Sequence, residues 1–179
     1  MAITKIQSES MNLADTYAFT GTVTGAGESN TPSFFVRLSS DQSVSNSAQV
    51  KVQHDTVIVD TASAFDNTTN YRFTVPSGQG GKYLLYACMG MHSATNAYNS
   101  NSRIVINGST SLSGFGTGTY LNSTTELSSL AQAIYTLSAG DYVEHYARTD
   151  VASGSAPFRA ATMSHSGWST YFGGFKISS

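Results

Sequence analysis

The chain has 179 residues, enough for one domain of the usual ~100–200-residue size with an attached segment. Charged residues are only 11%, against about 25% in an average soluble domain, so polarity comes from Ser, Thr, Asn and Gly, as in β-rich, turn-rich proteins. The net charge is -2 with nine Lys and Arg scattered singly, and no run approaches the ~20 apolar residues that cross a bilayer, so neither nucleic acid nor membrane is expected as a partner.

Residues 1–32 read as an arm and linker. Ile3, Ile6, Met11, Leu13, Tyr17, Phe19 and Val23 are too many apolar residues for a solvated tail, and the Gly, Ser, Asn and Pro cluster that follows is a hinge composition. The arm is expected to pack on its own oligomer or on a neighbouring protein. The start, MAITKIQSES, lacks a basic stretch followed by an apolar one, so passage through a secretory pathway is not expected.

From residue 33 to 179 short β-type segments recur with turn signals between them, as in a sandwich or barrel. Strands are predicted near 34–38, 50–52, 57–59, 71–75, 81–89, 102–107, 127–137, 141–148 and 170–177. The segment 127–137 also fits a short helix; Ser128, Ser129 and Thr136 are poor helix fillers and favour strand. The stretch AFDNTTNYRFTVPSGQGGKYLLYA, 64–87, alternates like a β-hairpin but carries more apolar mass than one exposed hairpin hides. Cys88, alone in YLLYACMGM, reads as a small buried hydrophobe. Residues 107–126 and 149–168 are predicted as long loops, of the kind that carries function or packs on a partner. In LSAGDYVEHYAR, a Gly-Asp turn launches a strand.

Chemistry-bearing patterns are absent. His54, His92, His145 and His165 lack metal-ligand spacing, and polar strand faces or loops are expected for them. Asp41, Asp55, Asp60 and Asp66 follow no calcium-loop pattern, GFGTG (114–118) precedes no helix, and no G-x-S-x-G elbow occurs. Asn67, Asn107 and Asn122 begin N-x-S/T triplets and are read as surface loops. No catalytic residue, cofactor or metal is expected.

FDNTTNYRFTVPSGQGGKYLLYA, LSAGDYVEHYA and STYFGGFKIS, taken in order, resemble the globular-head domain of complement-type proteins and the related tumour necrosis factor superfamily. The matching positions are Phe65, Asp66, Phe73, Thr74, Pro76, Gly81, Tyr83, Leu137, Gly140, Asp141, Val143, Phe172, Gly174 and Phe175. The PSGQGG turn is longer than that family's usual one. The resemblance implies an all-β jelly-roll sandwich over 33–179 with an extended N-terminal arm, assembling as a homotrimer. Tyr83, Leu85, Tyr142, Tyr146, Tyr171 and Phe175 are then expected in the core or the subunit interface.

The arm, ITKIQSESMNLADTYAFTGTVTGAG, and the segment SFFVRLSSDQSVSNSAQVKVQHDTVIVDTASAFD are similar to tailed-bacteriophage virion proteins, especially those of marine and cyanobacterial phages. That similarity implies a virion location after assembly in the host cytoplasm, and a non-enzymatic capsid decoration (cement) protein. Ile3, Ile6, Met11, Leu13, Tyr17 and Phe19 would attach it to the major capsid protein or another virion protein. The alternative is a tail-fibre or receptor-binding tip that reads host surface glycans through long loops. A secreted ligand is disfavoured by the missing signal or anchor.

Overall fold

The computed structural model describes residues 30–93, 97–117, 125–161 and 167–179. The arm residues Ile3, Ile6, Met11, Leu13, Tyr17 and Phe19, and also Asn122 and His165, lie outside these. The described residues form strands and no helix: β1 (Ser33–Arg37), β2 (Val50–Lys51), β3 (Thr56–Asp60), β4 (Phe65–Asp66), β5 (Arg72–Thr74), β6 (Gly81–Ser93), β7 (Ala97–Ile106), β8 (Thr110–Thr117), β9 (Thr125–Leu137), β10 (Tyr142–Val151) and β11 (Tyr171–Ser178). One sheet has the order β3-β1-β11-β6-β9; the other runs β4-β5-β10-β7-β8, with β2 added to β10. Neighbours pair antiparallel.

The sheets close on each other because the inward parity of β1, β5, β6, β7, β10 and β11 is apolar and finds its like across the gap. Phe34 of β1 stacks on Phe73 of β5 at 4.4 Å between ring centres and meets Phe172 of β11 edge-on at 5.0 Å. Tyr83, Leu85, Ala87, Ile104 and Val143 complete this cluster. A second cluster, around Met89, Met91, Ala147 and Phe158, fills the other end. Segment 127–137 is strand, as its poor helix formers imply, and the all-β jelly-roll expectation holds.

The hairpin reading of 64–87 does not. β5 pairs with β4 and β10, whereas β6 pairs with β11 and β9, so PSGQGG carries the chain from one sheet to the other. The true hairpin is the tight one between β4 and β5, closed by the Asp66 carboxylate, which accepts from the amides of Thr68, Thr69 and Asn70. These bonds to the ionised form hold that carboxyl well below the usual carboxylate range.

The predicted loop at 107–126 is also corrected, because 110–117 is strand β8. Its Ser and Gly content hides it, and Gly114 has a structural reason. A Cβ built there would lie 1.8 Å from the Leu130 carbonyl oxygen on β9, so only glycine lets the edges of the two sheets approach this closely. Gly114→Ala is expected to lower stability by about 1–3 kcal/mol, read as a reduced urea midpoint with an unchanged m-value. In 149–168, the first residues continue β10, and Phe158 is buried with backbone bonds to Gln42 in both directions. Arg159 adds an ion pair to Asp41 at 2.6 Å. The described part of that loop is thus tied to its own domain.

Candidate functional site

β6 begins GKYLLYAC, apolar at successive positions, so its alternation leaves an apolar side chain on both faces. Tyr83, Leu85 and Ala87 enter the core; Leu84, Tyr86 and Cys88 point away from it. Register extends this outer parity across the sheet in three rows. Val59, Phe35, Gly173, Tyr86 and Gln132 lie side by side, as do Ser33, Phe175, Leu84 and Ile134, and Arg37, Tyr171, Cys88 and Leu130.

The middle of this face is an aromatic cluster. Phe35 lies 6.2 Å from Tyr86, 5.7 Å from Tyr171 and 5.5 Å from Trp168, and Tyr86 lies 6.4 Å from Tyr171. Gly173 makes room for it, because a Cβ there would come within 2.5 Å of the Tyr86 hydroxyl oxygen. The Arg37 guanidinium covers Trp168 at 5.5 Å. Burial raises the Tyr86 phenol, and burial with the neighbouring Cys88 and Tyr86 pushes Tyr171 up to about 12. Burial likewise raises the Cys88 thiol. The aromatic centre of the face therefore carries no charge over the neutral range except that of Arg37 at its rim, with Lys82 and His92 further along β6.

Around the aromatic centre the surface stays open: Ile134 is 64% exposed, Leu130 47% and Trp168 45%. Val59, opposite Phe35, and Ile177 extend the exposed apolar area. A contiguous apolar face with an aromatic centre is the composition of an association surface.

The opposite sheet presents a different outside. Arg72 sits over the Tyr142 ring at 4.2 Å and Lys51 over Tyr146 at 5.8 Å, while Lys51 also pairs with Glu144 at 2.6 Å. Those tyrosines are already capped by cations. The structure thus distributes the six sequence-derived residues over three places: Tyr83 and Leu85 in the core, Tyr171 and Phe175 on the aromatic face, Tyr142 and Tyr146 on the far side. Phe35, Tyr86, Trp168, Leu130 and Ile134 belong to the aromatic face and escaped the sequence reading. The one available signal was the unbroken apolar run in β6.

The histidines need a correction. His54 and His145 are fully buried, not on a polar face or in a loop. His54 Nε2 lies 2.9 Å from His145 Nδ1, and His145 Nε2 lies 2.9 Å from the Ser102 hydroxyl, which donates to the Ala87 carbonyl at 2.8 Å. Burial drives both imidazoles to the neutral form, His54 down to about 3. The acidic residues serve turns: Asp60 caps the amides of Ala62, Ala64 and Phe65, Asp41 takes the Ala160 amide, and Asp55 binds Ser39. Among the described residues no three His, Cys, Asp or Glu side chains converge as metal ligands.

No protein-family pattern matches the sequence, and no curated protein does. Solved structures do. The globular domain of zebrafish complement 1qA matches at 20% identity and a TM-score of 0.52, over 82% of this chain and 98% of that one. Eiger TNF from S. frugiperda gives 17% identity and 0.53, over 82% and 90%, and murine APRIL 13% and 0.50, over 81% and 98%. At these identities the likeness is one of fold, the jelly roll of complement globular heads and tumour necrosis factors.

Proposed function

We propose that this chain is a non-enzymatic structural protein that associates as a homotrimer through the outer face of β3-β1-β11-β6-β9 and decorates a phage capsid through its arm. The observation that carries the association is the aromatic face itself, Phe35, Tyr86, Trp168 and Tyr171 ringed by exposed Leu130 and Ile134. Threefold symmetry comes from the fold family the chain resembles. The particle comes from the similarity of the arm, residues 1–32, to tailed-phage virion proteins. A trimer bound at a threefold position turns three weak contacts into one strong attachment by raising effective concentration.

Removing residues 1–28 is expected to leave a soluble trimer that no longer binds capsids in a co-sedimentation assay; retained binding would refute the arm's role. The alternative, a tail-fibre tip that reads glycans, has one observation in its favour. An open cleft of about 490 Å³ is lined by Ser43, Val44, Ser45, Asn46, Gly154 and Ser155, hydroxyls and amides of the kind that bind sugars. Quantitative mass spectrometry of purified particles separates the two readings: hundreds of copies for a decoration protein, tens for a fibre tip.

A further inference from the structure

The core contains a polar chain with one consistent hydrogen-bond direction. The Ser102 hydroxyl has one hydrogen, given to the Ala87 carbonyl, so its oxygen accepts from His145 Nε2–H. A neutral imidazole carries one N–H, so His145 Nδ1 is a lone pair and accepts from His54 Nε2–H. His54 Nδ1 is left as a lone pair, buried and without a partner among the described residues. The chain joins the segment after β2 to β10, β7 and β6, and so links both sheets through their interior. It lies where the two apolar clusters meet, since Val143 and Ala147, its neighbours along β10, belong to different ones. Phe172 of β11 packs on both imidazoles, at 6.0 and 5.9 Å.

We propose that this Ser102–His145–His54 chain is an acid-sensitive pin between the sheets, intact with neutral imidazoles and released when a proton enters at His54 Nδ1. The free lone pair is the one place a proton can enter without breaking the chain first, and among the described residues nothing there receives the resulting N–H or balances its charge. Along the chain of His54, Lys51 turns outward to Glu144, and Asp55 is bound by Ser39. On β10, Glu144, Tyr146, Arg148 and Asp150 occupy the outer face, with Arg148 paired to Asp150. On β7, Arg103 is held by Asn101. On β6, Lys82, Tyr86, Cys88 and His92 have outward parity, while Tyr83 is core-facing and donates its hydroxyl to the Gln79 carbonyl. On β11, Tyr171 faces out, and buried Lys176 has the parity of Phe172 but lies roughly 13 Å along the strand. Among the described residues no carboxylate faces the pair, and Lys176 could only oppose a second positive charge.

The folded chain therefore stays neutral here while the unfolded chain titrates normally, near 6.5. Stability is complete above that value and falls as pH drops towards the depressed folded value. Because both imidazoles contribute, the folding equilibrium constant of the full chain at fixed concentration should drop about 100-fold between pH 7.5 and 5.5, a window above carboxylate titration. Urea unfolding of the full chain across that window, with His54→Phe alongside, tests this. The variant should show only about a 10-fold drop, since the phenyl ring keeps the packing on Phe172 and cannot take a proton. A pH-independent wild type would overturn the proposal, as would an undiminished drop in the variant. Should His54→Phe fail to fold, long-range ¹H–¹⁵N spectra of the wild type at pH 5.5 decide: two neutral rings uphold the pin, an imidazolium in the folded protein overturns it.

Discussion

Ile134→Asp is expected to convert the proposed trimer to folded monomers. Ile134 is on β9, on the outer face of the sheet, and at 64% exposed it is the most open large apolar side chain described. An aspartate in the isolated subunit stays in water, so the monomer loses little. In an apolar subunit contact the same carboxylate is buried without a cation, an uncompensated charge of the kind that costs about 3–5 kcal/mol. Each 1.4 kcal/mol is tenfold in affinity, so association at each contact should weaken by roughly 100-fold or more. Sedimentation velocity at micromolar concentration should show one slower species, with an unchanged circular dichroism spectrum. Tyr146→Asp is the control, because Tyr146 lies on the other sheet beneath Lys51, and its trimer should persist. If Tyr146→Asp dissociated the trimer and Ile134→Asp did not, the association face would have been assigned to the wrong sheet.

Phe172→Ala is expected to cost the fold a large part of its stability. Phe172 is fully buried and meets Phe34 at 5.0 Å and Phe65 at 6.3 Å, besides the two imidazoles. Truncating a buried phenylalanine typically costs about 3–5 kcal/mol, against a total of about 5–15 kcal/mol for a domain. The melting temperature should fall by about 10 °C. Phe175, three residues on in the same strand, faces out and pairs with Leu84 and Ser33. Phe175→Ser should therefore change association more than monomer stability. Thermal scans and sedimentation of the two variants separate the faces of a single strand.

The resemblance motifs reach the core as a group: Phe65, Phe73, Tyr83, Leu137, Val143 and Phe172 are all members of one buried cluster. The Gly-Asp turn was equally legible. Asp141 accepts from the Asn107 side chain and the Ser138 amide, and the next residue begins β10. Cys88 is largely buried, as an apolar setting implies, though its side chain belongs to the outer aromatic face. Harder to see was β8, whose Ser and Gly residues carry little strand propensity, because Gly114 answers to the backbone of β9 and not to its own neighbours.

What the sequence determined by itself was the class of fold, the approximate place of most strands and the presence of more aromatic mass than one core holds. These follow from local quantities: propensity, turn chemistry and period-2 alternation. The tertiary structure alone decided where that mass goes. In β6 both parities are apolar, so alternation marks two faces without saying which is inside; pairing with β9 and β11 sends Tyr83 and Leu85 inward and Leu84 and Tyr86 outward. The same long-range pairing encloses His54 and His145, residues 91 positions apart whose polarity would otherwise place them in water. A one-residue change of register would exchange those faces, and register is set by contacts between strands far apart in the chain.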